Sequence, residues 1–216
     1  MMPERESAGY LLAETVHLLR VNAGIALAAL GAMTLLGMVS DVYPDFAALA
    51  ALASIPVNLV LQYEISRALL VHYDLVDGRA RRRRLWALLG LNLLSGIAIL
   101  FGLLFLIVPG VYLLVRWWAA APALIAEEAD VTGSLDLSAE AVKGRFWHVF
   151  AAVSVVVWAP AAAGVLASAL VPEGEPLIAS LLLNLSLNLC LIAGWHLAVA
   201  IYAGRQNYRN LAEVFA

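Results

Sequence analysis

Charged residues are scarce in this sequence and cysteine is almost absent, and both shortages narrow the class of protein. Asp, Glu, Lys and Arg make up 13% of the 216 residues, whereas a soluble domain carries about 25%. Hydrophobic residues make up 63% of the chain. A soluble fold of this length could not bury so many, so lipid must surround part of the chain. The single cysteine, Cys190, excludes an intrachain disulfide, and we expect a buried, inert thiol.

Motifs of several enzyme classes are also missing. The sequence contains no HExxH, GxSxG, Walker loop or CxxC pattern. Its histidines are scattered along the chain: His17, His72, His148 and His196. The acidic residues Glu127, Glu128 and Asp130 are interpreted as a solvated helix end, with metal binding as the alternative. We therefore predict a protein that is not an enzyme, with no cofactor, no metal site and no nucleic-acid partner.

Long apolar runs dominate the chain. A helix needs about 20 apolar residues to cross about 30 Å of hydrocarbon. Six runs approach or meet this length: Val21–Ser40, Phe46–Leu70, Trp86–Val108, Val111–Ala126, His148–Leu170 and Leu177–Ala203. Backbone polar groups find no partner in lipid, and the runs are apolar on all sides, so they predict helices rather than a barrel. The sequence therefore predicts an all-α, polytopic membrane helical bundle that forms one domain over residues 1–216.

The fourth run is the shortest, and its start is expected to be set by Pro109-Gly110. Proline removes a backbone donor and glycine admits unusual dihedral angles, so this pair should break the helix between the third and fourth spans. A re-entrant hairpin between Trp86 and Ala126 is the alternative to a full fourth crossing.

Positive charges fall on one side of the predicted bundle. Of the 13 Lys and Arg residues, all except Arg67 and Arg116 lie in the two termini and in the loops after the second and fourth spans. The opposite loops carry acidic residues only: Asp41, Asp45, Glu173 and Glu175. Because cytoplasmic loops are enriched in Lys and Arg, both termini are predicted to be cytoplasmic.

Two stretches are amphipathic rather than apolar throughout. Ser7–Arg20 and Ser134–Trp147 each mix apolar with charged residues and precede a span that runs outward. We expect two interfacial helices on the inner leaflet, with Ser134 as the start of the second.

A basic run precedes the third span: Arg79, Arg81, Arg82, Arg83 and Arg84. One role for it is to fix the topology. The other is to bind anionic headgroups, at about 1 kcal/mol for each residue near the surface.

Polar residues inside the spans are the candidate functional residues, because burying them in lipid is costly. They are Glu64, Arg67, Asn92, Arg116, Asn184, Asn188 and His196. Depth counted at about 1.5 Å per residue predicts an inner layer and an outer layer. The inner layer comprises Glu64, paired with Arg67 at i and i+3, together with Asn92 and His196. The outer layer pairs Arg116 with Asn184, and Asn188 lies one turn deeper. Snorkelling and helix packing are the alternatives to a substrate or lipid path.

A family resemblance rests on three consecutive segments. Ile107–Trp118 carries a Pro-Gly pair and an arginine, Ala121–Glu128 carries an acidic exit, and Leu137–Trp147 is amphipathic. Together they resemble the glycerophosphoryl diester phosphodiesterase membrane domain and the related YciC-like family of uncharacterised bacterial inner-membrane proteins. The resemblance implies a bacterial inner (plasma) membrane protein of undefined activity. Some relatives carry a separate phosphodiesterase domain that we do not expect here, so the enzymatic name is not carried over.

The function predicted from these observations is a non-enzymatic membrane protein that contacts lipids or partner membrane proteins in envelope homeostasis. Anionic headgroups, a membrane protein partner and a second copy of the chain are the expected partners. The alternative is a small transporter or permease subunit with a polar path between helices. A membrane-embedded lipid enzyme is the third hypothesis.

Overall fold

The computed structural model describes residues 7–77, 84–172 and 174–214, with side chains as far as residue 206. Within these ranges the chain forms helices and no strands. The helices are α1 (Ala8–Val21), α2 (Ala23–Val42), α3 (Pro44–His72), α4 (Leu85–Phe105), α5 (Ile107–Arg116), α6 (Ala120–Ala126), α7 (Val131–Val142), α8 (Phe146–Ala169) and α9 (Pro176–Val214).

Six segments are long and apolar enough to cross a membrane, as the sequence predicts. They are Ala23–Val42, Pro44–His72, Leu85–Phe105, Ile107–Ala126, Phe146–Ala169 and Pro176–Gln206. Only 11% of the most hydrophobic stretch of α4 is buried inside the bundle. Exposed apolar side chains on this scale require lipid around them. The all-α polytopic fold is confirmed, and the protein is a multi-pass membrane protein.

Consecutive spans alternate in direction, so their connections fall at two ends of the bundle. One end, here called the basic end, carries Arg20, Arg84, Lys143, Arg145 and Arg205. The other, the acidic end, carries Asp41, Asp45 and Glu175.

The buried core lies toward the basic end. In α9 every residue from 192 to 203 is buried, whereas residues 103 to 109, around the turn between α4 and α5, are exposed. The bundle is therefore tightly packed at its basic end and open to lipid at the other.

Helices α1 and α7 are the two predicted amphipathic helices, and both pack against the bundle at the basic end. Ser7 caps α1, and Leu11, Thr15 and Leu18 form its buried face. The hydroxyl of Tyr73, just after α3, donates a hydrogen bond to Glu14 of α1. Burial, followed by this contact with Glu14, raises the pKa of Tyr73 above its usual value, so the phenol stays protonated and continues to donate.

Helix α7 begins earlier than the sequence suggests, and one of its faces is buried against the bundle. Asp130 caps it and Val131 is its first residue, so the predicted start at Ser134 is wrong. Both Ser134 and Ser138 are fully buried. The cap explains the difference, because the carboxylate of Asp130 accepts from the Gly133 amide before Ser134 is reached.

The fourth span is two helices, α5 and α6, separated by a turn at residues 117–119. Pro122 contributes to this break, because it has no amide hydrogen to donate to the carbonyl of Trp118. The predicted break at Pro109-Gly110 is wrong, since the chain turns at Leu106 and both residues lie at the start of α5. Proline is tolerated in a first helical turn, where its missing N–H needs no partner.

Candidate functional site

The predicted contact between Arg116 and Asn184 does not form. Asn184 donates from Nδ2 to Oδ2 of Asp41 at 2.7 Å, at the acidic end. Arg116 donates to the hydroxyl of Tyr112, and its guanidinium carbon lies 5.6 Å from the Tyr112 ring centre. Equal depth is not sufficient for contact, because α5 packs against α4, α7 and α8, whereas α9 packs against α2. Arg116 therefore lies beside α7, and Asn184 lies beside α2.

Arg116 lines a polar cavity of about 590 Å³, here called the basic-end pocket. Its charged members are Arg116, Asp136, Glu140 and Lys143. The last three lie on one face of α7 and its end, because they are spaced by four and three residues. Tyr112 and Phe146 form an aromatic wall, with their rings stacked at 5.4 Å. Two cations and two carboxylates therefore share one exposed cavity with an apolar side.

Ser138 fixes the backbone beside this pocket. Its hydroxyl donates to the carbonyl oxygen of Arg116 at 2.9 Å and accepts from the amide of Ala119 at 3.1 Å. Both backbone groups flank the break between α5 and α6, where the regular helical bonds are lost. The buried face of α7 therefore bridges the break and holds the Arg116 backbone in place.

Arg145 is a buried cation, although the sequence predicts it as one of the charges of a cytoplasmic loop. It is only 4% exposed. Its Nε donates to the carbonyl of Ala141 at 2.9 Å, and its guanidinium also donates to the carbonyl of Ile201 in α9. The neighbouring Gly144 is the one local sign in the sequence that Arg145 could be buried. Its left-handed backbone, with φ of 83°, turns the chain back after α7.

The residues predicted to form one inner layer lie at different contacts between helices. Asn92 donates from Nδ2 to Oε1 of Gln62 at 2.7 Å, which joins α4 to α3. His196 is fully buried, with Nδ1 at 2.8 Å from the carbonyl of Ile192. The pairing of Glu64 with Arg67 stays a prediction. Gln62 is not among the residues predicted from the sequence, although a glutamine in the middle of a span is a visible signal.

Gln62 also lines an apolar cavity of about 410 Å³ between α3, α4 and α9. Three indoles form much of its wall: Trp117, Trp118 and Trp195. Trp118 is oriented by a hydrogen bond of 3.2 Å from Nε1 to the carbonyl of Gly194. Cys190 borders the same cavity and is only partly buried, against the expectation of a buried thiol.

Asn184 and Asn188 face a third cavity of about 300 Å³, here called the acidic-end cleft. It lies between α2, α3 and α9, and among the described residues that line it Asp41 alone is ionisable. Both asparagines line this cleft.

The basic run falls mostly outside the described residues, which exclude Arg79, Arg81, Arg82 and Arg83. Arg84 is described, and its Nη1 donates to the carbonyl of Ala129 at 2.7 Å. This residue ties the start of α4 to the loop before α7.

Among the described residues, no group of three or more His, Cys, Asp or Glu could hold a metal ion. The predicted absence of catalysis and cofactors stays a prediction.

Comparison of the chain with protein-family models, with curated proteins and with solved structures finds no match. The resemblance to the YciC-like family stays a prediction, and the chain is identified by its fold alone, as a multi-pass helical membrane protein.

Proposed function

We propose that this protein is a non-enzymatic phospholipid-binding protein of a bacterial inner membrane, with its basic end and both termini in the cytoplasm. The enrichment of Lys and Arg at one end supports the orientation. The family resemblance supports the bacterial inner membrane, and a role in envelope homeostasis is part of the proposal.

The basic-end pocket carries the proposal. Arg116 and Lys143 supply donors for a phosphate group, while Asp136 and Glu140 supply acceptors for an amine. This arrangement suits a zwitterionic headgroup with a primary amine, such as phosphatidylethanolamine. A purely anionic headgroup would leave both carboxylates facing negative charge.

The surroundings of the pocket suit the rest of a lipid molecule. Tyr112 and Phe146 line the pocket, and Trp147 beside them is 74% exposed. Tyr and Trp favour the depth of the headgroups, where one end of the ring is apolar and the other is wet. Exposed apolar residues at the start of α5, such as Val108, offer a surface for acyl chains.

Native mass spectrometry from nanodiscs tests this function. The discs contain equal amounts of phosphatidylethanolamine, phosphatidylglycerol and phosphatidylcholine. We expect retained lipid to be enriched in phosphatidylethanolamine, and this enrichment to be lost in the Arg116→Gln/Lys143→Gln double variant, which should retain the three lipids near their bulk ratio. Arg205→Gln is the matched control, because Arg205 is an exposed arginine of the basic end that does not line the pocket. Retention of all three lipids in their bulk ratio would contradict the proposal.

A small transporter is the second candidate, favoured by a polar stripe on α3. Ser54, Asn58, Gln62 and Ser66 recur every four residues. The first two line the acidic-end cleft and the last two line the apolar cavity. A transporter would carry bound ligand across a proteoliposome membrane, whereas the first function requires binding alone.

A further inference from the structure

We propose that the apolar cavity between α3, α4 and α9 binds the ring of a lipid-soluble quinone. The cavity and the basic-end pocket lie on opposite sides of α5, because Trp117 lines the first and Arg116 lines the second. The inference is therefore independent of the phospholipid site.

The depth of the cavity restricts its ligand to molecules that dissolve in lipid. His72 ends α3 ten residues after Gln62, and Leu85 begins α4 ten residues before Ser95. At 1.5 Å per residue, both lining residues lie about 15 Å from the basic end of their helices. That depth is about half of the 30 Å of hydrocarbon in a bilayer.

The cavity is open to the surrounding lipid and carries no charge. Leu187 and Leu191 line it and are also exposed on the outside of the bundle, at 46% and 40%. Helix α4, on the other side, packs mainly against α5. None of the described residues that line the cavity is Asp, Glu, Lys, Arg or His. A neutral molecule could therefore enter sideways from the membrane without leaving a buried charge unpaired.

Indole rings make the wall suited to a flat ligand. Trp117, Trp118 and Trp195 all line the cavity. The hydrogen bond from Trp118 to the carbonyl of Gly194 holds one of these rings against α9. Glycine allows this close approach, since a Cβ at position 194 would lie 3.2 Å from Cζ2 of the indole. Aromatic rings stack on such surfaces with more stabilisation than their buried area alone provides.

Hydrogen-bond donors on α3 lie in the same cavity. Gln62 accepts from Asn92 through Oε1, but among the described residues its Nε2 has no acceptor. Ser66 is only 1% exposed, and its hydroxyl likewise has no partner in the described part of the chain. This hydroxyl is not among the fully enclosed polar atoms, so it opens onto the cavity that it lines.

These donors distinguish a quinone from an acyl chain. Gln62 and Ser66 share one face of α3, separated by one turn or about 6 Å along the axis. An acyl chain in the cavity would displace water and leave both groups without a partner, which is unfavourable. A quinone has a flat ring for the indoles and two carbonyl oxygens, on opposite sides of that ring, to accept from the donors. The volume of about 410 Å³ lies in the range of small-molecule sites.

Titration of the full chain in nanodiscs with decylubiquinone tests the proposal, with bound ligand per chain counted by native mass spectrometry. We expect one saturable site in the wild type. Decylbenzene, which has a ring and the same tail but no acceptor, should bind about twentyfold more weakly because both hydrogen bonds are lost.

Substitutions in the wall of the cavity should weaken quinone binding. We expect losses of about fivefold for Gln62→Leu and for Ser66→Ala, each of which removes one hydrogen bond. Trp118→Leu removes a stacking surface and should lose a similar factor. The matched controls lie outside the cavity and should bind as the wild type does: Asn58→Leu, Ser54→Ala and Trp158→Leu.

Three results would overturn the proposal. A wild type without saturable quinone binding would exclude the site. Decylbenzene bound as tightly as decylubiquinone would make the cavity a site for apolar chains in general. Unchanged affinity in both Ser66→Ala and Trp118→Leu would place the quinone elsewhere, and this outcome is decisive even should Gln62→Leu not fold.

Discussion

Buried polar side chains at the basic end act mainly on backbone groups of neighbouring helices. Ser138 joins the two sides of the break in the fourth span, and Arg145 joins the end of α7 to α9. Neither role is visible in the sequence, because a serine in an amphipathic helix and an arginine in a basic loop both have ordinary exposed roles. Their partners are set by how α7 packs, which is a property of the whole bundle.

Replacing Ser138 should destabilise the protein more than replacing its neighbour on the same helix. Ser138→Ala leaves a buried carbonyl and a buried amide without their partner, at a cost of about 1 to 3 kcal/mol. Ser134→Ala is the control, because Ser134 is equally buried but donates only to Val131 in its own helix. Thermal unfolding in detergent micelles measures both, and equal losses of stability would contradict the bridging role.

Because of Asp130, the stability of the fold should decrease as the pH falls into the acid range. Bonds from the Thr132 hydroxyl at 2.9 Å and the Gly133 amide at 3.0 Å favour the ionised carboxyl, which lowers the pKa of Asp130 from its usual value. A carboxyl whose pKa falls on folding stabilises the fold above its unfolded pKa of about 3.9. That contribution is lost as the pH falls through the folded pKa.

The measurement compares Tm values of the wild type, Asp130→Ala and Asp130→Asn. We expect Asp130→Ala to have a lower Tm than the wild type at pH 7, and this gap to narrow as the pH falls below about 4. Asp130→Asn keeps an uncharged cap, so its advantage over Asp130→Ala should not change with pH. A gap between wild type and Asp130→Ala that is the same at both pH values would argue against an ionised cap.

At the scale of elements, the hairpin of α4 and α5 shows what a local pattern can and cannot predict. The hydrophobic runs give both helices, because hydrophobicity along the chain is a local property. The turn itself falls at Leu106 rather than at Pro109-Gly110. Glycine at 110 serves close packing instead, since a Cβ there would lie 2.4 Å from the backbone nitrogen of Leu103. Sequence alone does not separate a turn glycine from a packing glycine.

Gly110→Ala should therefore destabilise the hairpin, although alanine is the better helix former. The contact is with backbone, which cannot move aside, and overpacking of this kind costs about 1 to 3 kcal/mol. Gly96→Ala in α4 is the matched control, because a Cβ at Gly96 meets nothing within 4 Å. We expect the control to be neutral or to gain up to about 1 kcal/mol from helix propensity. Thermal unfolding that shows Gly110→Ala as stable as Gly96→Ala would refute the close contact.

Small residues in α2 also show that a local pattern does not predict which helix face is buried. Gly24, Ala28 and Ala32 follow a spacing typical of packed membrane helices, yet all three are exposed. The buried face of α2 instead carries Ala26, Ala29 and Met33. The spacing was visible in the sequence, but which face meets the bundle depends on α3 and α9.

At the scale of the whole molecule, the sequence predicts the number of spans and the separation of charge, because both follow from hydrophobicity and from the loops. It does not predict the polar contacts between spans. Asn184 meets Asp41 rather than Arg116 because α9 packs against α2, whereas α5 packs against α4, α7 and α8. The acidic-end cleft and the basic-end pocket are consequences of that packing.

The central claim is that the two ends of the bundle lie on opposite sides of a membrane, with the basic end in the cytoplasm. The lone cysteine makes this testable, because Cys190→Ala leaves a background free of thiols. In that background, Glu175→Cys marks the acidic end and Arg205→Cys marks the basic end, at two exposed positions.

A maleimide that cannot cross membranes is added to intact cells, with an outer membrane opened where one is present. We expect it to label Glu175→Cys at once, and Arg205→Cys only after the inner membrane is permeabilised. Labelling of both variants in intact cells would contradict the separation of the two ends, and labelling of Arg205→Cys alone would contradict the orientation.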